Sequence, residues 1–314
     1  MLEIIGITFP VFGLIALGYA VVWKGLFSQD DLKVFGKYVL NIALPALLFS
    51  ALARNPISEV FQPEYIAIYG IASLGSMGLS YLWFTLRPTG PARRAIAVMG
   101  AGCPNSGYLG LPILMLAFPN VAASAISMNL IVENLVMVPL SLLLLDLSRP
   151  RDGQSMAKLL GGIFLGILKR PMIIGMILGM LTSILGGHLP VPFERLTTLL
   201  AGSTAPIALM VIGGSLVGLP LQGNLSMALQ IVVTKLILHP ALAALIIMAG
   251  ATLGLSGMDP TLAAALIVSA SMPMLGIYAI LAQDYGHAGM ASMAMLGSVV
   301  FGFFTSSALL FLLL

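Results

Sequence analysis

Charge is scarce in this chain. Of 314 residues only 8% are Asp, Glu, Lys or Arg, against about a quarter in an ordinary soluble domain. With 59% hydrophobic residues and a mean hydropathy of +1.07, that shortage excludes a soluble globular protein and makes the lipid bilayer the expected solvent. Cysteine is scarcer still. The single Cys103 rules out an intramolecular disulfide, and His188, His239 and His287 are too scattered for a Cys/His metal cluster, so no metal, redox centre or other cofactor is expected. The start, MLEIIGITFP, lacks a basic n-region and a small-residue cleavage site, and reads as a first span rather than a signal peptide. The net charge of +3 is explained by where the basic residues fall along the chain, so no nucleic-acid partner is expected.

What is present is a series of apolar runs. A spanning helix needs about 20 apolar residues, and ten segments qualify: Leu2 to Trp23, Val34 to Leu52, Tyr65 to Leu86, Ala95 to Phe118, Val121 to Leu145, Pro171 to Leu185, Leu196 to Val217, Ser226 to Gly250, Thr261 to Leu281 and Gly289 to Leu314. The sixth is short, and the apolar run Leu159 to Leu168 before it is read as an interfacial helix within a basic cytoplasmic linker, 151–170. Basic residues alternate by loop. Lys24, Lys33 and Lys37 flank the first connection, Arg87, Arg93 and Arg94 the third, and Arg149, Arg151, Lys158, Lys169 and Arg170 the fifth; only Arg54 and Arg195 fall in even loops. The positive-inside rule makes the odd loops cytoplasmic and places both termini outside the cytoplasmic membrane.

Five spans precede the linker and five follow it, so residues 171–314 are expected to repeat 1–150 with inverted topology. Pro10 and Pro45 are 35 residues apart, and so are Pro171 and Pro206. The fourth segment interrupts itself within MGAGCPNSGYLGLPILML, at Pro104 and again at Pro112, and the ninth at Pro273 within SASMPMLGIYAI. Proline breaks a helix because it lacks an N–H and clashes with the preceding turn. Unwound backbone at membrane depth is tolerated only where it lines a cavity or is buried in protein. Broken helices in corresponding places of two inverted halves point to a secondary transporter with its site at the midplane, where a half-helix N-terminus favours an anion.

The segments PNSGYLGLPI, LNIALPALLFSAL, PIALMVIGGSL and MPMLGIYAILAQDYG together resemble the auxin efflux carrier family, whose bacterial members include malonate and malate permeases. The resemblance covers all ten spans, and its most specific pieces are Asn105 to Pro112 and Ala282 to Gly286. It implies an all-α membrane fold of two inverted five-helix repeats with crossing fourth and ninth helices. Spans one, two, six and seven would form a scaffold, through which a homodimer is suggested. Spans three to five and eight to ten would form a transport domain with elevator-like motion. PIN-type relatives hold a carboxylate with asparagines on spans four and five. Asn105 matches the first by motif and Asn134 is the best match to the second, with Ser106, Gly107, Tyr108, Met274 and Tyr278 beside the breaks. The chain departs from many relatives in placing Met274, Leu275 and Gly276 after the ninth-span proline, where polar residues are frequent. It also lacks the large hydrophilic central loop of long plant members.

Charged groups near a bilayer centre cost roughly 2.5 to 3.5 kcal/mol each on insertion scales, so each needs an explanation. Glu133 and Lys235 fall near the middles of the fifth and eighth segments. Three readings stay open: a structural ion pair, a positive potential from Lys235 for an anion, or uptake of a coupling proton by Glu133. His239, four residues after Lys235, shares its helical face and reads as a packing residue or a proton relay. Asn129 and Asn134 are five apart and do not share a face, and Asn134 is the one expected to face the site. Gly175-x-x-x-Gly179 would admit a close helix neighbour, within the scaffold or across a dimer.

The expected function is secondary transport of a small organic anion, a mono- or dicarboxylate such as malonate or malate, with proton or sodium coupling both open. A channel or ligand-sensing membrane protein could use the same breaks. An intramembrane hydrolase fits poorly, because Ser106 has no evident histidine nearby and Asp259 and Asp284 lie near span ends.

Overall fold

The computed structural model describes residues 2–54, 61–149, 161–162, 165–166, 168–186, 189–254 and 257–314. Of the expected interfacial helix at 159–168, residues 161, 162, 165, 166 and 168 are described, all helical and exposed; the rest of it, most of the 151–170 linker and His188 fall outside these residues. The described residues are almost wholly helical: α1 Leu2–Trp23, α2 Gln29–Ala53, α3 Pro63–Thr85, α4 Pro91–Gly102, α5 Ser106–Ala117, α6 Ala122–Leu147, α7 Pro171–Ile184, α8 Val191–Ser215, α9 Leu225–Thr252, α10 Pro260–Ala270, α11 Tyr278–Gln283 and α12 Ala288–Leu313.

Seven of these are long and apolar enough to cross a membrane: α1 from Ile5, α2, α3, α6, α8, α9 and α12. The fourth, sixth and ninth expected spans are not continuous helices of that length. The fourth is divided into α4 and α5, the ninth into α10 and α11, and α7 has 14 residues, about 21 Å at 1.5 Å per residue. Two helices start earlier than hydropathy suggests. α2 begins at Gln29 because Ser28 and Asp31 form a reciprocal capping box, the Ser28 Oγ accepting from Asp31 N–H and the Asp31 carboxylate from Ser28 N–H. α8 begins at Val191, with Pro192 in its first turn.

Four short π-helical segments, Val39–Ala43, Ser106–Gly110, Glu133–Met137 and Thr234–Leu238, each run directly into a turn whose second residue is proline: Pro45, Pro112, Pro139 and Pro240. A proline ring cannot sit against the carbonyl four residues back, and a widened turn relieves that conflict while the helix continues. Glu133 and Lys235 both lie in such turns.

Glycines set the closest packing. α1 lies along α8, where a Cβ on Gly18 would collide with the Met210 carbonyl and one on Gly213 with the Ile15 carbonyl. α7 lies along α2, with Gly175 against Pro45 and Gly179 against Phe49, where added Cβ atoms would come within 2.6 and 2.7 Å of carbonyl oxygens. The Gly175-x-x-x-Gly179 face is therefore filled from within the chain. The two contacts are also equivalent. Gly18 and Gly179 each stand eight residues after Pro10 and Pro171, while Met210 and Phe49 each stand four after Pro206 and Pro45. A second set of neighbours surrounds the breaks: α3 packs on α4, α6 and α9, α9 on α10 and α12, and α11 on α12.

Between α4 and α5 the chain is unwound at Cys103–Asn105, and between α10 and α11 it is unwound around Met272–Gly276. The two stretches cross and pair as an isolated antiparallel bridge, Pro104 with Met274. Asn105 N–H donates to Pro273 O at 2.8 Å and Leu275 N–H to Cys103 O at 3.0 Å. Each break thus satisfies backbone groups of the other that hydrocarbon could not.

Candidate functional site

The crossing supplies a compact polar centre among apolar helices. Asn105, 3% exposed, uses its side-chain oxygen to accept from Tyr108 N–H at 3.3 Å and its carbonyl to accept from Leu109 and Gly110 N–H at 3.0 Å each. Its amide nitrogen has no acceptor among the described residues and faces Gly276, where an added Cβ would stand 3.5 Å away. Gly276 matters here because any larger residue would crowd that amide. Ser106 and Gly107 open α5, so their N–H groups have no preceding helical carbonyl to bond. Pro104, Pro112 and Pro273 are buried at or beside the breaks, and Gly107 rests on the Leu44 side chain of α2.

The remaining expected residues divide. Met274 is buried within the bridge itself. Tyr108 is half-buried and its hydroxyl donates to Gly36 O of α2 at 3.2 Å. Tyr278 is fully buried, its ring against Gly100 of α4 and its hydroxyl without a partner among the described residues. Asn134 is not hydrogen-bonded to Asn105. Its Nδ2 donates to Leu130 O at 2.8 Å, and its Oδ1 accepts from Arg170 Nη1 at 2.6 Å. Asn129, on the other face of α6, accepts from Tyr65 OH at 2.8 Å and keeps its buried Nδ2 unpartnered.

Arg170 is the residue the sequence placed elsewhere. Basic and loop-like by position, it caps α7 in extended backbone and lies half-buried between α7 and α6. Burial lowers its pKa, and it has no carboxylate partner among the described residues.

Glu133 and Lys235 do not form a direct ion pair. The ion pairs among the described residues are the exposed Lys33–Asp30 at 2.8 Å and Arg54–Glu194 at 3.3 Å. Glu133 instead accepts from Ser106 Oγ, at the positive end of α5, and from Tyr69 OH at 2.8 Å. Lys235 donates to Ala270 O at 2.7 Å, at the negative end of α10, and contacts His239 Nδ1 at 2.9 Å. Each charge is drawn to the helix terminus of opposite polarity, so each belongs to a different break.

Residues 4–310 match the family model described as "Membrane transport protein". The chain is 28% identical over 294 residues to the "Putative malonate transporter" of Rhizobium meliloti strain 1021, covering 91% of this chain and 88% of that protein. It is 24% identical over 241 residues to the "Uncharacterized transporter YfdV" of Escherichia coli strain K12, covering 75% and 76%. It is also 25% identical over 221 residues to the mouse "Lysosomal cholesterol signaling protein", covering 66% of this chain but 25% of that longer protein. With a family model matched from end to end of a multi-pass helical chain, this protein belongs to the membrane transport protein family, the auxin efflux carriers.

Proposed function

We propose that the protein is a secondary transporter of a small organic anion, a mono- or dicarboxylate of the malonate and malate kind, held at the crossing of the α4–α5 and α10–α11 breaks. The observation that carries this reading is the paired crossing itself. It brings the Asn105 amide and the first N–H groups of α5 to one buried point, all of them donors and none of them acidic. Arg170 adds a desolvated cation at the α6–α7 seam, and its bond to Asn134 is one a carboxylate would replace with a stronger, charge-assisted one. The malonate relative, which spans most of this chain, agrees in substrate class.

The transport mode we infer is elevator-like. The four glycine contacts join α1 to α8 and α2 to α7, and the packing of α8 on α2 gathers both pairs into one group, the scaffold of spans one, two, six and seven. Helices α3–α6 and α9–α12 form the moving group. Among the described residues the side-chain polar links between the groups include Tyr108 to Gly36 O, Arg170 to Asn134 and Asn134 Nδ2 to Met172 Sδ at 3.9 Å. The equivalent Gly18–Met210 and Gly179–Phe49 contacts support an inverted repeat of five spans, ten in all, with α4–α5 and α10–α11 as the broken fourth and ninth. Both termini would face outward from the cell membrane, and the scaffold would carry a homodimer contact on faces other than the filled Gly175–Gly179 stripe.

Counterflow in proteoliposomes with labelled malonate, malate and an aromatic carboxylate tests the reading. Saturable exchange of one of them supports a carrier. Flux linear in concentration would move the protein to the channel reading, and silence with all three would remove carboxylates as the cargo.

A further inference from the structure

A chain of buried contacts joins the two breaks through α3 and α9, hydrogen-bonded except at Tyr69, where it passes from the backbone carbonyl to the phenol through the residue itself. Ser73 Oγ donates to Tyr69 O at 2.7 Å, so its oxygen is free to accept from His239 Nε2 at 3.0 Å. That fixes the imidazole as the Nε2–H tautomer and leaves Nδ1 to accept from Lys235 Nζ at 2.9 Å. Lys235 completes the run on Ala270 O, and Tyr69 and Ser106 complete it at the other end on Glu133 Oε1. Tyr69, Ser73, His239 and Lys235 are all fully buried, and Glu133 is 5% exposed.

Both ends of this chain can change protonation without losing a bond. Lys235 uses two N–H donors, which an ammonium and a neutral amine both possess. Glu133 receives both hydroxyls on Oε1, leaving Oε2 without a protein partner among the described residues and open to a proton. The groups around the carboxyl are Tyr65 and Tyr69 from α3, Cys103 before the first break, and Lys235 and His239 from α9; Arg170 is engaged next door on Asn134. Lys235 is the fully buried cation of α3, α4 and α9, Arg93 and Arg94 lying at the accessible start of α4.

We propose that Glu133 is a proton-binding site and that the protein is a proton–anion symporter, Lys235 serving as the fixed counter-charge. This deepens the anion-transport reading and rests on it. An anion on the Ser106 and Gly107 N–H groups lies one hydrogen bond from Glu133, through the Ser106 hydroxyl. A second negative charge there disfavours the carboxylate, so anion and proton assist each other's binding. The charges then balance in both states that must move. Empty, ionised Glu133 and protonated Lys235 sum to zero. Loaded, the monoanion and Lys235 sum to zero beside a neutral Glu133, and no net charge is carried through low dielectric. One proton enters with each monoanion, binds Oε2 from one side and leaves it on the other.

The test is the ratio of protons to labelled malonate entering liposomes that contain a pH dye, measured near pH 4.5 where the hydrogen-malonate monoanion is well represented. The wild-type chain is expected to acidify the lumen at about one proton in excess of those carried by the substrate itself, and to accumulate malonate several-fold on an inward proton gradient. In Glu133→Gln the excess proton and the accumulation should vanish, and Glu133→Asp should restore both. Wild-type exchange with no excess proton would overturn the proposal while leaving the carrier intact. So would an unchanged ratio in Glu133→Gln, or equal loss of transport in the Gln and Asp variants. Absence of wild-type counterflow with every carboxylate tried would overturn the carboxylate-transport reading on which the symport rests, and the symport with it.

Discussion

Replacing Lys235 by methionine should be worse than replacing Lys235 and Glu133 together. Lys235→Met keeps most of the side-chain volume but strands two buried acceptors, His239 Nδ1 and Ala270 O, at about 1–3 kcal/mol each. It also leaves an ionised Glu133 with no counter-charge; because the two side chains do not touch, that cost is about 1–3 kcal/mol, below the roughly 3–5 kcal/mol of breaking a direct buried pair. Glu133→Gln retains an oxygen for Tyr69 and Ser106, so its cost is mainly the unbalanced Lys235. In the double variant neither charge remains, and the electrostatic part of both penalties disappears. We expect a coupling energy of about 1–3 kcal/mol, with the double variant more stable than the two single losses would add to. Reversible unfolding in mixed micelles, run as a double-mutant cycle, measures it. Additivity within about 0.5 kcal/mol would refute the connection between the two ends, and with it the reasoning that they form one network.

Three further outcomes follow from the geometry. Gly213→Val places a side chain into the Ile15 carbonyl of α1 and should cost at least the roughly 1–3 kcal/mol of overpacking, whereas Gly13→Val, with open space around it, should leave the thermal midpoint in detergent nearly unchanged. Gly276→Val should fold normally yet lose transport, because its methyl groups would occupy the space before the Asn105 amide; normal uptake by a stable variant would argue against that space being the site. Arg170→Met should raise the KM for the anion by roughly 10- to 150-fold, the equivalent of about 1.5–3 kcal/mol for a hydrogen bond to a charged group. Arg170→Lys should fall between, and an unchanged KM in uptake kinetics would remove Arg170 from the binding step.

The breaks were legible because proline beside Asn-Ser-Gly, and proline inside Ser-Met-Pro-Met, contradict a membrane helix so locally that no tertiary information is needed. That the two breaks meet is expected from the repeat and the family resemblance, but the pairing of Pro104 with Met274 was not legible, since the two are far apart in the chain and nothing in either stretch encodes the register. Which face of each helix turns inward was also hidden. In lipid both faces are apolar, so amphipathic periodicity says little. Asn129 and Asn134 could be separated onto different faces and Asn134 was expected to face the site, but nothing in the sequence named Arg170 as the residue Asn134 meets. Arg170 itself was counted as a loop cation because hydropathy registers the length of a helix and not the depth at which it starts. Gly175 and Gly179 announced a close contact without naming Pro45 and Phe49 as its other half. Glu133 and Lys235 were conspicuous from their cost in the bilayer, but the helix-end polarity that separates them depends on where α5 begins and α10 ends.

The central claim is that an anion binds where the two breaks cross, and Asn105→Ala tests it most directly. Counterflow of labelled malonate should fall to background in this variant while stability falls only by the loss of one helix cap, about 0.5–2 kcal/mol, because the substitution removes the Oδ1 that accepts from Tyr108 N–H. Saturable exchange at native rate and KM in Asn105→Ala would contradict a site at the crossing.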